Sequence, residues 1–133
     1  MSAYGFNVQL KCAFDEAVEQ VTAGLQKEGF GVLADIDVQA TMKKKLDIDR
    51  LPYRILGACN PALAHQALSA DPDIGLLLPC NVVVRQQEDG NVTIAFMDPA
   101  AVLQLVDKEG VAELADTVRS KLMRVRDALA QGE

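Results

Sequence analysis

The sequence offers little for nucleic-acid binding and shows no familiar catalytic motif. It has no tryptophan, two tyrosines and four phenylalanines, so few aromatic side chains are available for stacking on bases. Thirteen basic residues stand against nineteen acidic ones, and the net charge of −6 at pH 7 disfavours a phosphate-backbone partner. There is one histidine and no paired-carboxylate, Ser-His-Asp, Walker or dinucleotide-binding glycine pattern, so the residues point to no established reaction.

The sequence also lacks the features of membrane and secreted proteins. No apolar run approaches the roughly 18 residues that a membrane span needs. The N-terminus has no basic segment followed by an apolar one, so we expect no signal peptide. Three cysteines form an odd number without disulfide-framework spacing. These absences predict a cytoplasmic protein with reduced thiols. The length of 133 residues predicts a single domain over residues 1–133.

Hydrophobic periodicity predicts an α+β domain. Alternating apolar residues predict strands at 4–11, 31–37, 80–87 and 92–97, and a short apolar run predicts a further strand at 53–58. Helical spacing predicts a helix over 14–28, a short helix from Pro61 to about residue 70, and a long helix over 111–130. Because the strands alternate rather than being fully apolar, we expect an antiparallel or mixed sheet. The two main helices would lie on one face, and the short helix between the middle strands.

Two stretches between these elements have less clear patterns. Residues 39–50 are dominated by charge, which predicts a mobile connector with at most one helical turn around Met42 and Leu46. Residues 74–78 are apolar and short, which predicts a tightly buried segment.

The predicted sheet leaves one face without helices. Valines recur at every second position of the strands, and an apolar face of this kind is a natural dimer surface. We therefore expect a homodimer.

Cys59 and Cys80 are the first candidates for a functional site. If the strands that end and begin near them are antiparallel neighbours, both thiols lie at the same end of the sheet. Two thiols there could coordinate a soft metal or exchange a disulfide. The ordinary interpretation is that both are small buried core residues. Their separation by twenty residues matches no recognised metal or redox motif.

His65 is a weaker candidate on the short helix. It could join Cys59 and Cys80 as a metal ligand, or serve as a general base. The sequence has no second histidine and places no acidic residue beside it. A surface or half-buried histidine is the more common case.

Asn60 and Asn81 lie at the junctions of strands with the segments around them. Asn60 before Pro61 is typical of a helix start, with asparagine as the N-cap and proline at the first helical position. The functional alternative is that the two amides and the helix N-terminus line a small polar pocket for an anion.

Several motifs together resemble one protein family. They are residues 53–61 (YRILGACNP), Asp71-Pro72, residues 75–82 (GLLLPCNV) and Asp98-Pro99. With the order of elements around them, they are similar to the bacterial and archaeal domain-of-unknown-function family 302, over nearly the whole chain.

The resemblance implies mostly a fold. It implies antiparallel strands with two main helices on one face, like the saddle of TATA-binding-protein-like folds, and a homodimer. It implies no DNA binding, because a shared fold class does not carry function. The family's motif residues correspond here to Cys59, Asn60, Pro61, Pro79, Cys80 and Asn81. No catalytic role comes with them.

Three functions remain open on the sequence. The first is a non-enzymatic module that binds a small molecule or a partner. The second is a thiol protein that uses Cys59 and Cys80 for redox chemistry, sulfur transfer, or metal or haem binding. The third is a small enzyme with a pocket near Asn60 and Asn81. The binding module is favoured because no catalytic constellation is visible.

Overall fold

The structure, a computed structural model, describes residues 3–132 and has a five-stranded antiparallel sheet at its centre. The strands, which lie in the order β1-β5-β4-β3-β2, are β1 (Gly5–Leu10), β2 (Gly31–Asp37), β3 (Tyr53–Cys59), β4 (Cys80–Gln86) and β5 (Val92–Met97). The helices are α1 (Phe14–Lys27), α2 (Val38–Leu46), α3 (Pro61–Ala70), α4 (Pro99–Leu103) and α5 (Val111–Gln131), with a 3-10 helix at Pro72–Leu77. The predicted α+β class is confirmed, and the saddle-like shape stays a prediction.

Helices α1 and α5 pack on the sheet because each carries an apolar stripe at helical spacing. Val21 and Leu25 of α1 are fully buried, as is Leu122 of α5. Together with Val125 they meet strand side chains such as Phe96 in the main core. Burial of this stripe supplies most of the stability of such helices, because isolated helices are marginal in water.

The opposite face of the sheet carries no part of this core. Strand alternation sends every second side chain there. One row crosses all five strands through successive register pairs, and we call it the outer row: Ile36, Ile55, Val83, Ala95 and Asn7. Ile36, at one end of the row, is 51% exposed.

A second, smaller core lies beside the main one. Its buried members come from α3, the 3-10 helix, α4 and the start of α5, and they are Ala67, Ile74, Leu103, Val111 and Ala115. These contacts hold α3 and the 3-10 helix against α5, beyond the end of β3 and β4.

Residues 38–46 form helix α2, so the predicted mobile connector is wrong. The carboxylate of Asp37 caps the helix by accepting a hydrogen bond from the Ala40 N–H at 2.9 Å. Asp47, with φ of 53°, ends it in the left-handed conformation. No residue of α2 is buried. The helix therefore has no apolar stripe that periodicity could reveal.

The prediction for residues 74–78 holds for one side chain only. Ile74 is 1% exposed, whereas Leu76 is 87% exposed. The tight 3-10 geometry turns neighbouring side chains in different directions. The peptide bond between Leu78 and Pro79 is cis and leads into β4.

The helices of residues 3–132 do not combine the length and the apolar character that crossing a membrane requires.

Candidate functional site

The pairing of β3 with β4 brings Cys59 and Cys80 to the same end of the sheet. The two strands are antiparallel neighbours, with Ala58 opposite Cys80 and Gly57 opposite Asn81. Cys59 lies one residue beyond the partner of Cys80. The strand pairing that a shared thiol site requires is therefore present.

The two thiols are nevertheless not a directly opposed pair. Ala58 is the register partner of Cys80, and Cys59 lies one position further along, at the last residue of β3. Cys80 is 7% exposed and belongs to the main core, whereas Cys59 is half-buried. No disulfide joins them. This geometry does not present the two sulfurs as a matched pair of ligands.

The thiol of Cys80 is protonated at neutral pH. Its pKa is raised from 9.0 to about 11, mainly by burial and to a smaller extent by the nearby Cys59. With a pKa of about 11, only about one molecule in ten thousand carries the thiolate at pH 7. Because the thiolate is the nucleophile and the metal ligand, Cys80 behaves here as a small apolar side chain.

Asn60 is engaged in building the fold. Its Oδ1 accepts a hydrogen bond from the Leu63 N–H at 3.3 Å, and Pro61 occupies the first turn of α3. Its Nδ2 lies against Gly29, where an added Cβ would be only 2.9 Å away. Gly29 has φ of 86°, which ends α1 in a conformation that other residues rarely adopt. The predicted N-cap thus also joins α3 to the turn between α1 and β2.

Asn81 lies apart from Asn60. It is an exposed residue on the outer face of β4, opposite Gly57. It lines a surface depression of about 270 Å³ with Asn7 and Met97, whereas Asn60 lines a different and larger cavity. The two amides do not share one pocket, so the anion pocket suggested by the sequence is not formed by this pair.

His65 lies outside the site. It is exposed on α3, and it is not among the residues that line the cavity near Cys59 and Cys80. Within the described part of the chain, no group of three or more histidine, cysteine, aspartate or glutamate side chains is arranged to hold a metal ion. The three metal-ligand candidates are therefore not assembled.

An apolar cavity of about 420 Å³ lies at this end of the sheet. It lies between the ends of β3 and β4, helix α3 and the first half of α5, and seventeen residues line it. Apart from the amide of Asn60 and the two thiols, the lining side chains are aliphatic or aromatic, and none of them is charged. We call it the α3 cavity.

A close backbone contact forms part of the wall of the α3 cavity. A Cβ added to Gly57 would lie 2.8 Å from Cγ of Pro79 and 3.2 Å from Cβ of Ala34. Pro79 and Ala34 both line the cavity. The missing side chain of Gly57 thus allows the proline ring to lie across β3.

The α3 cavity runs from the surface into the core. Leu33 and Leu68 line it and are 73% and 43% exposed, and they form what we call the mouth. Ala67 and Cys80 line its interior and are buried. Sequence reasoning found Cys59, Asn60 and Cys80 but missed the leucines, because an aliphatic residue in a strand or helix is indistinguishable from a core residue in sequence.

Comparison with known proteins gives a family and a structural relative. The family model described as "Domain of unknown function DUF302" matches residues 6–129. A crystal structure of an uncharacterized conserved DUF302 protein from Bacillus stearothermophilus is 28% identical, with a TM-score of 0.86, over 95% of this chain and 98% of that one. The curated proteins contain no match. The resemblance inferred from the sequence motifs is confirmed: the chain belongs to the DUF302 family.

Proposed function

We propose that the protein is a non-enzymatic module that binds a small molecule in the α3 cavity. The observation that carries this proposal is the character of the wall, which is apolar almost throughout and contains a single amide. Small-molecule sites are typically concave, mostly apolar and about 300–1,000 Å³ in volume. The α3 cavity, at about 420 Å³, falls in this range.

The arrangement gives less support to catalysis. An enzyme site needs a nucleophile, a base or an oxyanion donor placed toward a bound substrate. Cys80 has a pKa of about 11, so it is a poor nucleophile at neutral pH. The Oδ1 atom of Asn60 is held by the Leu63 N–H, and His65 does not line the cavity. The α3 cavity therefore suits the binding of a small molecule better than it suits catalysis.

The experiment is a fluorescence titration with phenylnaphthylamine, an uncharged dye with three aromatic rings. The wild-type protein and two alanine-to-leucine variants are compared. Ala64 lines the cavity, and Ala62 is an exposed residue of the same helix that does not. Leucine is nearly as good a helix former as alanine, so neither change should unfold α3.

We expect saturable binding to the wild type with Kd on the order of 0.1 mM or tighter, from about 0.3 kcal/mol per ligand atom. Ala64→Leu fills the cavity and should weaken binding at least tenfold, and Ala62→Leu should leave Kd unchanged. Absence of saturable binding, or equal binding by both variants, would remove the α3 cavity as the site.

We also propose that the protein is a homodimer that uses the outer face of its sheet. The outer row is mainly aliphatic, and Ile36 within it is 51% exposed. Faces of this kind are commonly covered in oligomers. Light scattering at micromolar concentration should give twice the chain mass, and Val83→Lys, at the centre of the row, should halve it. A monomer mass for the wild type would overturn the proposal.

We propose that the protein is cytoplasmic, on the evidence of its cysteines. The chain has three cysteines, an odd number without disulfide-framework spacing. Unoxidised thiols persist where the compartment is reducing. Fractionation that recovers the protein from an oxidising compartment would contradict this.

A further inference from the structure

We infer that the ligand of the α3 cavity is electrically neutral over all of its buried part, with a bulk of about two to three aromatic rings or an equivalent hydrocarbon chain. This inference rests on the proposed function and narrows it to one chemical class. It excludes fatty acids, organic phosphates and other small anions, and also amines, as molecules that enter the cavity whole.

The volume sets the size of the ligand. An apolar cavity of about 150 Å³ in another protein stays dry and accepts one benzene molecule. The α3 cavity has a volume of about 420 Å³, which is roughly three times larger. A ligand that fills it has a bulk near that of three rings. Smaller ligands would leave part of the apolar wall without contacts, which lowers affinity.

The absence of charged side chains from the cavity wall determines the polarity of the ligand. None of its lining residues is an acid, a lysine, an arginine or a histidine. An ionised group moved from water into such surroundings loses its hydration and finds no partner, which is strongly unfavourable. The amide of Asn60 already uses its oxygen on the Leu63 N–H. The cavity therefore has no group that could neutralise a bound charge.

The mouth has the same character as the interior. Leu33 and Leu68 are exposed leucines that line it, one on β2 and the other on α3. A polar rim would have allowed a charged head group to remain at the surface with a partner. Here the ligand meets apolar surface before it is buried, which favours molecules without an ionised head.

The test compares two dyes with one skeleton. Phenylnaphthylamine is neutral, and anilinonaphthalene sulfonate carries the same rings with one added sulfonate. The sulfonate is attached to the naphthalene ring beside the anilino group, so the rings cannot be fully buried without it. We expect the neutral dye to bind at least tenfold more tightly to the wild type. The Ala64→Leu variant should weaken the neutral dye by a similar factor.

The outcomes separate this inference from the proposed function. If the sulfonate binds as tightly as the neutral dye and Ala64→Leu weakens both, the cavity is a binding site and neutrality is refuted. If neither dye responds to Ala64→Leu, the proposed function fails and this inference fails with it. A neutral preference that Ala64→Leu abolishes supports both.

A second pair of variants tests the inference by adding the missing charge. Leu33→Lys places an ammonium group at the mouth, on an exposed position where the fold should tolerate it. It should raise the affinity for the sulfonate dye, relative to the affinity for the neutral dye, at least threefold. Leu76→Lys is the control, because Leu76 is 87% exposed and does not line the cavity. Equal effects of the two lysines on the sulfonate would contradict a role for charge at this mouth.

Discussion

Replacing Gly57 by alanine tests the contact that forms the wall of the α3 cavity. The new methyl group would lie 2.8 Å from Cγ of Pro79 and 3.2 Å from Cβ of Ala34. Ordinary carbon contacts are about 3.5–4.0 Å, so the first of these distances cannot be kept. The ring of Pro79 must move away from β3, or β3 must bend.

The magnitude follows from two opposing terms. Overpacking of one methyl group in a well-packed region destabilises a protein by about 1–3 kcal/mol. Replacing glycine by alanine also restricts the unfolded chain, which stabilises by about 0.4–1 kcal/mol. The net expectation is a loss of about 1–2 kcal/mol in the free energy of unfolding. With a urea m-value of about 1–3 kcal/mol/M, the midpoint of unfolding should fall by roughly 0.3–2 M.

Gly31→Ala is the matched control for this substitution. Gly31 is also a strand residue, it has no positive φ, and no atom lies within 4 Å of an added Cβ. Only the unfolded-state term acts there, so its midpoint should stay the same or rise slightly. Urea denaturation followed by circular dichroism measures both variants. If Gly57→Ala were as stable as Gly31→Ala, the contact with Pro79 would not be as close as described.

Three further predictions concern single groups. Burial raises the pKa of Cys80 from 9.0 to about 11, so the folded state holds its proton where the unfolded state loses it. The contribution of the protonated thiol to the free energy of unfolding is therefore present below pH 9 and declines as the pH rises to about 11, by roughly 3 kcal/mol in all. Cys80→Ala should flatten this part of the pH profile of unfolding. Asn60→Ala removes the N-cap of α3 and should destabilise by about 1 kcal/mol, whereas Asn60→Asp, which keeps a capping oxygen, should be milder in thermal melts. The guanidinium of Arg124, 2.9 Å from a carboxylate oxygen of Glu28, lowers the pKa of that carboxyl, so the pair stabilises at neutral pH and the effect is lost as the pH falls. Glu28→Gln should lower the melting temperature slightly in low salt, and an equal decrease in high salt would contradict an ionic contribution.

The regular elements with a buried face could be predicted from the sequence. The stripe through Val118, Leu122 and Val125 predicted the long C-terminal helix. Alternation predicted four of the strands, and a short apolar run predicted β3. Asn60 before Pro61 located the start of α3 because capping is a local interaction. Helix α2 was missed because none of its side chains is buried, so nothing in the apolar pattern marks it.

The candidate site was only partly predictable from the sequence, because its geometry depends on strand register and tertiary packing. Cys59 and Cys80 stood out by residue type, and the antiparallel pairing places them near each other. Their offset by one residue depends on the register, in which Ala58 rather than Cys59 is opposite Cys80. The cavity itself depends on how α3 sits against α5, which is decided by tertiary packing. Leu33 and Leu68 therefore gave no signal in sequence.

The position of β1 in the sheet has a consequence for how the chain reaches its native state. β1 (Gly5–Leu10) pairs with β5 (Val92–Met97), and the Asp98 N–H donates to the Tyr4 carbonyl at 2.8 Å. β1 is synthesised before the other four strands of the described sheet, and its only neighbour in that sheet is the last of them. Closing such a distant contact carries a large loop entropy and slows folding. β1 therefore stays unpaired, and α1 stays only partly buried, until β5 has been synthesised. A chain truncated before Val92 should leave β1 without its strand partner.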